Sequence, residues 1–157
     1  MAHPFCIMTK RITFWITLIC IVVAAIFLLT LQDPDGTIAI SVEARGLLTR
    51  FVRLLTGNAS WQISIHDVRR LAHVPEYGLL GLVVCIGLNR IIGRIGRSAV
   101  MTPAFCFVIS LADQIVKWIL PTRHFDASDL VLDAVGYVGA TVAVTIVALI
   151  IKWLSQK

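Results

Sequence analysis

Four long apolar stretches dominate the chain, at about residues 12–31, 74–92, 99–120 and 130–154, with shorter polar segments between most of them. A helix needs about 20 mainly apolar residues to cross roughly 30 Å of hydrocarbon, so each stretch predicts a transmembrane helix. The first carries no charge and follows Lys10-Arg11. It is longer than the roughly 7–15 apolar residues of a cleavable leader and no small-residue cleavage site follows it, which predicts an uncleaved anchor. Between the first two stretches lies a longer segment, about residues 32–73, opening with the turn Asp33-Pro34-Asp35-Gly36. Within it Leu47, Leu48, Phe51, Leu54 and Leu55 recur at three- and four-residue spacing, and Arg45, Arg50 and Arg53 take the other face. That pattern predicts an amphipathic helix lying in a membrane interface. The simplest expectation is that its apolar stripe packs over the mouth of the bundle. The sharper alternative is that its arginines hold anionic headgroups. The expected fold is all-α: an integral membrane bundle of four transmembrane helices with an external amphipathic interfacial helix, residues 1–157 forming one domain.

Composition narrows the class further. The chain is 58% hydrophobic and 15% charged, against about 45–50% apolar and about 25% charged in a soluble domain, which excludes a soluble globular protein. Collagen-like, disordered and disulfide-scaffold chains are excluded as well, since the chain has only 10 glycines, 5 prolines and 4 scattered cysteines. Cys20, Cys85 and Cys106 fall within apolar stretches, where they are expected to pack, and no Cys-x-x-Cys pair suggests a metal. No metal and no cofactor is expected.

Charge placement predicts orientation. With the N-terminus inside, the inner segments hold Lys10, Arg11, Arg90, Arg94, Arg97, Lys152 and Lys157 and no acid, while every carboxylate from Asp33 to Asp133 lies on or toward the other side. Both termini are therefore expected in the cytoplasm. The net charge of +5 then reflects topology signals rather than a nucleic-acid surface, and no nucleic-acid module is recognisable. The expected surroundings are the lipid bilayer, and the sequence leaves homo-oligomerisation open.

Charged groups within a membrane cost about 2.5–3.5 kcal/mol each on insertion scales, so those that persist need partners or a task. Three clusters fall toward one side. At the start of the second stretch, helical spacing places Arg69, His73, Glu76 and Leu80 on one face with Arg70 and Tyr77 alongside, and Pro75 marks a point where the chain can kink. In the third stretch Asp113 and Lys117 stand four residues apart beside Gln114, with Asp113 about 12 Å along the helix from Pro121 at the usual helical rise. In the fourth, Asp129, Asp133, Gly136 and Ala140 share a face, preceded by Arg123. The small pair Gly136 and Ala140 lets another helix approach, which would turn both aspartates toward protein. The three clusters can surround one outward polar pocket. Register-fixing ion pairs explain any single residue here, but the full set exceeds what register needs.

These same residues resemble the VanZ family of small bacterial membrane proteins. That family's first block reads Arg-Lys-x-x-His-x-x-Glu-Tyr-x-x-Leu-Gly, which Arg69, Arg70, His73, Glu76, Tyr77, Leu80 and Gly81 follow with Arg70 in the lysine place. Its second block is similar to Asp113-Gln114-x-x-Lys117, Pro121-Thr122-Arg123, Asp129, Asp133, Gly136 and Gly139. The likeness spans about residues 69–139. Gln114 stands where the family has an acid, Lys117 where it has an amide and Thr122 where it has a glycine. The resemblance implies a multi-pass protein of the bacterial cytoplasmic membrane and cell envelope, with the family's founding member linked to antibiotic resistance of the teicoplanin type. It supplies no reaction.

The expected function is an envelope factor whose outward pocket binds a cell-surface or lipid-linked amphiphile, such as a lipid-linked precursor or a lipoglycopeptide. Arg69, Arg70 and Arg123 would hold phosphate or carboxylate groups, with His73, Glu76, Asp113, Asp129 and Asp133 orienting them and Tyr77 and Lys117 completing the lining. The alternative is a membrane enzyme acting on lipid-linked substrates, with His73, Glu76 and Asp113 as candidate catalytic groups. The lack of a nucleophile elbow, a His-Glu-x-x-His helix or a phosphate loop weighs against it. A small carrier is a weaker third, since no inverted repeat is visible.

Overall fold

The computed structural model describes residues 4–32, 38–121 and 125–156. Among them it contains only helices: α1 (Pro4–Leu31), α2 (Ile38–Thr56), α3 (Ile65–Ile92), α4 (Ile95–Ile119) and α5 (Ala127–Leu154). Four of these, α1, α3, α4 and α5, are long and apolar enough to cross a membrane. This is the expected all-α, four-span architecture, with α2 as the additional amphipathic helix.

Helix boundaries extend beyond the apolar stretches, because hydropathy marks where lipid begins and capping marks where a helix begins. The second span starts at Ile65 rather than near residue 74. The Ser64 hydroxyl accepts the Asp67 N–H at 3.0 Å and donates to the Asp67 carboxylate at 2.8 Å, so the start of α3 is capped about three turns before Pro75. The helix then runs on through Pro75. At the other end Gly93, at φ 70°, closes α3 by donating its N–H to the Asn89 carbonyl at 2.9 Å, a conformation that strains any residue with a side chain. Ser64→Ala should lower stability by about 1 kcal/mol, read as a shift of the thermal midpoint in detergent. Asp126 caps α5 in the same way, and the Ser128 hydroxyl and N–H hold its carboxyl below the usual carboxylate range. That cap is complete above the ordinary aspartate pKa, near 3.9, and is lost as the pH falls through the lowered value.

The bundle is built around α3, which packs against each of the other four helices. α1 is peripheral, with 6% of its most apolar 18-residue stretch buried against 39% for the corresponding stretch of α3. The core inverts the usual soluble pattern. Phe14, Leu28, Val100, Val108, Trp118, Val131 and Ile151 are exposed, while Ser98, Thr102, Ser110, Asp113, Gln114, Lys117, Asp133 and Thr141 are buried. Apolar side chains gain nothing by leaving lipid, whereas polar ones must find protein partners there.

Close approach of α3 and α5 depends on missing side chains. A Cβ on Gly136 would stand 2.3 Å from the Val74 carbonyl oxygen, and one on Gly81 would stand 2.7 Å from the Tyr137 Cα. Gly136 thus makes the approach expected of the small pair, while Ala140 is only half-buried. α2 departs from the simplest expectation. Its apolar stripe does not pack over the bundle: Leu47 is 68% exposed, Phe51 59%, Leu54 84% and Leu55 71%. Ser41 and the half-buried Leu48, Thr49 and Val52 occupy the flank that is covered instead.

Candidate functional site

The charged residues of three spans meet. His73 on α3 places Nδ1 3.0 Å from Asp133 Oδ1 and Nε2 3.5 Å from Asp129 Oδ2, both on α5. Lys117 on α4 places Nζ 3.0 Å from Asp113 Oδ2 and 3.4 Å from Asp129 Oδ2, and the same Nζ lies 3.4 Å from His73 Nε2. Helical geometry explains the arrangement, since Asp113 and Lys117 are one turn apart on α4 and Asp129 and Asp133 one turn apart on α5. Glycine contact between α3 and α5 then brings His73 against both aspartates.

Hydroxyls complete the network. Ser110 donates to Asp133 Oδ2 at 2.6 Å, and Thr30, near the end of α1, donates to Asp113 Oδ1. Four helices therefore share one cluster. Nearer the surface, Arg70 contacts Asp126 at 3.8 Å and Asp129 at 3.9 Å and donates to the Ser128 hydroxyl. Side chains grade from Asp126, 47% exposed, and Arg70, 34% exposed, to Asp133, which is fully buried.

The remaining candidates fall into place around this centre. Tyr77 is fully buried, its ring stacked on His73 with centroids 6.3 Å apart. Glu76 is half-buried and forms no ion pair with a described residue, but it lies within electrostatic range of His73, Asp113, Lys117 and Asp133. Arg69 is half-buried and likewise pairs with no described residue. Arg123 and Thr122 lie outside the described residues. Gln114 is fully buried, and its Oε1 accepts the Asp126 N–H at 3.3 Å, which ties α4 to the start of α5. Lys117 supplies the ammonium that faces Asp113 and Asp129.

Thr30, Ser110, Asp126 and Ser128 were not among the residues expected from the sequence. One signal was available for Ser110. Ser98, Thr102, Cys106, Ser110 and Gln114 recur every four residues along α4, a stripe in register with Asp113 and Lys117, and all seven are buried. Thr30 offered no such pattern, because its role depends on how α1 docks.

Among the described residues the cluster sets three carboxylates, Asp113, Asp129 and Asp133, against the single ammonium of Lys117, with His73 between them. His73 Nδ1 faces Asp133 Oδ1 at ion-pair distance without hydrogen-bond geometry, and Nε2 lies between Lys117 and Asp129. Unprotonated, Nε2 can accept from Lys117; protonated, it would favour Asp129 instead, so the protonation state of the ring decides which neighbour it engages. Among the described residues, no group of three or more His, Cys, Asp or Glu side chains has the placement of a metal site.

No match was found among curated proteins or among solved structures. The VanZ/LLP1 family model matches residues 14–150, which take in α2 and most of all four spans as well as both charged blocks. The chain is thus an all-helical membrane protein that belongs to the VanZ/LLP1 family.

Proposed function

We propose that this protein is a bacterial cell-envelope factor whose charged cluster receives the polar headgroup of a cell-surface or lipid-linked amphiphile. The observation that carries the proposal is the convergence of His73, Asp113, Lys117, Asp129 and Asp133 from three spans. Such a set costs more to insert than helix register requires, which favours a ligand as the reason for it. Arg70, oriented by Asp126, Asp129 and Ser128, and Arg69, paired with no described residue, offer guanidinium groups suited to a phosphate or carboxylate. Gln114 Nε2, buried and donating to no described residue, is a further group available to a ligand. The ligand's apolar part would remain in the bilayer against the exposed Ile, Leu and Val side chains of the spans.

An enzyme acting on the same class of amphiphile is the second reading. It is favoured by the His73 ring, held between Asp133 and Lys117, a residue type that suits a general acid or base.

In the proposed orientation both termini are cytoplasmic and the cluster opens outward. A cysteine placed at Ser155 in a cysteine-free background should resist an impermeant thiol reagent in whole cells and react after permeabilisation. Labelling from outside would reverse the orientation. The functional proposal is tested by growth of a deletion strain across cell-wall antibiotics. Altered sensitivity to a glycopeptide or lipoglycopeptide, restored by the wild-type chain, is expected, and unchanged sensitivity to all of them would remove the link to resistance.

A further inference from the structure

A second charged feature, separate from the buried cluster, lies along α2. Arg45, Arg50 and Arg53 form no ion pair with any described residue. Beside them Leu47, Phe51, Leu54 and Leu55 form the exposed apolar stripe of the helix. Such a stripe is unfavourable in water and needs a covering. Spacing along the helix puts Arg50 and Arg53 together on one edge of the stripe. With Leu54, Gly57 and Ala59 they line a shallow, open and mainly apolar hollow, at whose edge the two guanidinium groups stand.

The hollow is shaped by the turn that ends α2. Gly57, at φ 67°, reverses the chain, its N–H bonded to the Arg53 carbonyl at 2.9 Å, and a Cβ there would meet nothing within 4 Å. The following residues curl back until the Trp61 carbonyl accepts Arg53 Nε at 2.9 Å. That bond fixes the plane of the guanidinium and leaves its Nη donors available. Arg50 forms no hydrogen bond or ion pair with a described residue. Two guanidinium groups, one of them held in orientation, thus stand at the edge of an apolar stripe on a chain that spans a membrane.

We propose that this hollow binds the phosphate of an anionic phospholipid, with the acyl chains lying along Leu47, Phe51 and Leu54. Charge complementarity selects this occupant. The arginines pair with no described carboxylate and suit paired hydrogen bonds with phosphate, and the stripe matches the chains attached to it. A zwitterionic lipid meets the same stripe but brings its own cation, so it is held less tightly. The site is independent of the ligand proposed for the buried cluster.

Native mass spectrometry of the full chain, released from detergent in equimolar phosphatidylglycerol and phosphatidylcholine of matched acyl chains, tests the assignment. The wild type should retain phosphatidylglycerol preferentially. Arg50→Gln with Arg53→Gln should reduce that preference roughly thirtyfold, about 2 kcal/mol at 1.4 kcal/mol per tenfold, as expected for two arginines near a lipid surface. Arg50→Lys with Arg53→Lys should retain part of it. If loss of the Arg53 bond to Trp61 unfolds the double variant, Arg50→Gln alone should still lower the preference about fivefold at an unchanged thermal midpoint. Equal retention of the two lipids by the wild type, an unchanged preference in the glutamine variants, or displacement of the lipid by inorganic phosphate would each overturn the proposal.

Discussion

Gly136→Val is expected to prevent accumulation of the folded protein, the largest single effect foreseen for a residue without charge. Even the first added carbon would stand 2.3 Å from the Val74 carbonyl oxygen and 2.9 Å from the Gly78 nitrogen. Both atoms belong to the backbone of α3, so no side-chain rotation relieves the clash and the two helices must separate. Overpacking costs about 1–3 kcal/mol where neighbours can shift, and more where they cannot. Separation would also part His73 from Asp129 and Asp133, adding unpaired buried charge to the steric cost. Gly139→Ala is the matched control. A Cβ there meets nothing within 4 Å, so stability should be unchanged or slightly improved by the better helix propensity of alanine. Protein level and thermal midpoint by size-exclusion chromatography in detergent read both variants.

Lys117→Met should rank next. Lys117 is 5% exposed and is the ion-pair partner of Asp113, whereas Asp129 also contacts His73 and Arg70. Removing the cation leaves Asp113 buried with only the Thr30 hydroxyl among the described residues, and breaking a buried pair from one side costs about 3–5 kcal/mol. Asp113→Asn in the same chain should recover most of that loss, because exchange of both partners for neutral groups is often close to free. A double variant less stable than Lys117→Met alone would mean that Asp113 depends on contacts other than the lysine.

The fold was legible because a bilayer imposes a length on every apolar helix, and all four spans stand where the apolar stretches lie. The boundaries were less so. Ser64 caps α3 well outside the apolar stretch, and nothing in hydropathy reports a cap. The charged residues of the cluster were also legible, since Asp113, Lys117, Asp129 and Asp133 are conspicuous in apolar surroundings. How they pair was not, because it depends on the rotation of α4 and α5 about their axes, which for α5 is fixed by the contacts of Gly136 with Val74 and Gly78 and of Gly81 with Tyr137. The amphipathic pattern of α2 identified the helix but not which way its stripe turns. Periodicity defines a face without saying whether protein or lipid covers it.

Complementation by Asp113→Asn bears most directly on whether the cluster is a site or a scaffold. The substitution keeps the shape and leaves an oxygen to accept from Thr30, and Lys117 retains Asp129 at 3.4 Å, so folding should survive. What it removes is the charge at the deep end of the cluster. Measured in the envelope phenotype of the deletion strain and at matched protein level, Asp113→Asn should fail to complement if the cluster receives a ligand. Full complementation would contradict the proposed site and return Asp113 to the role of holding helix register.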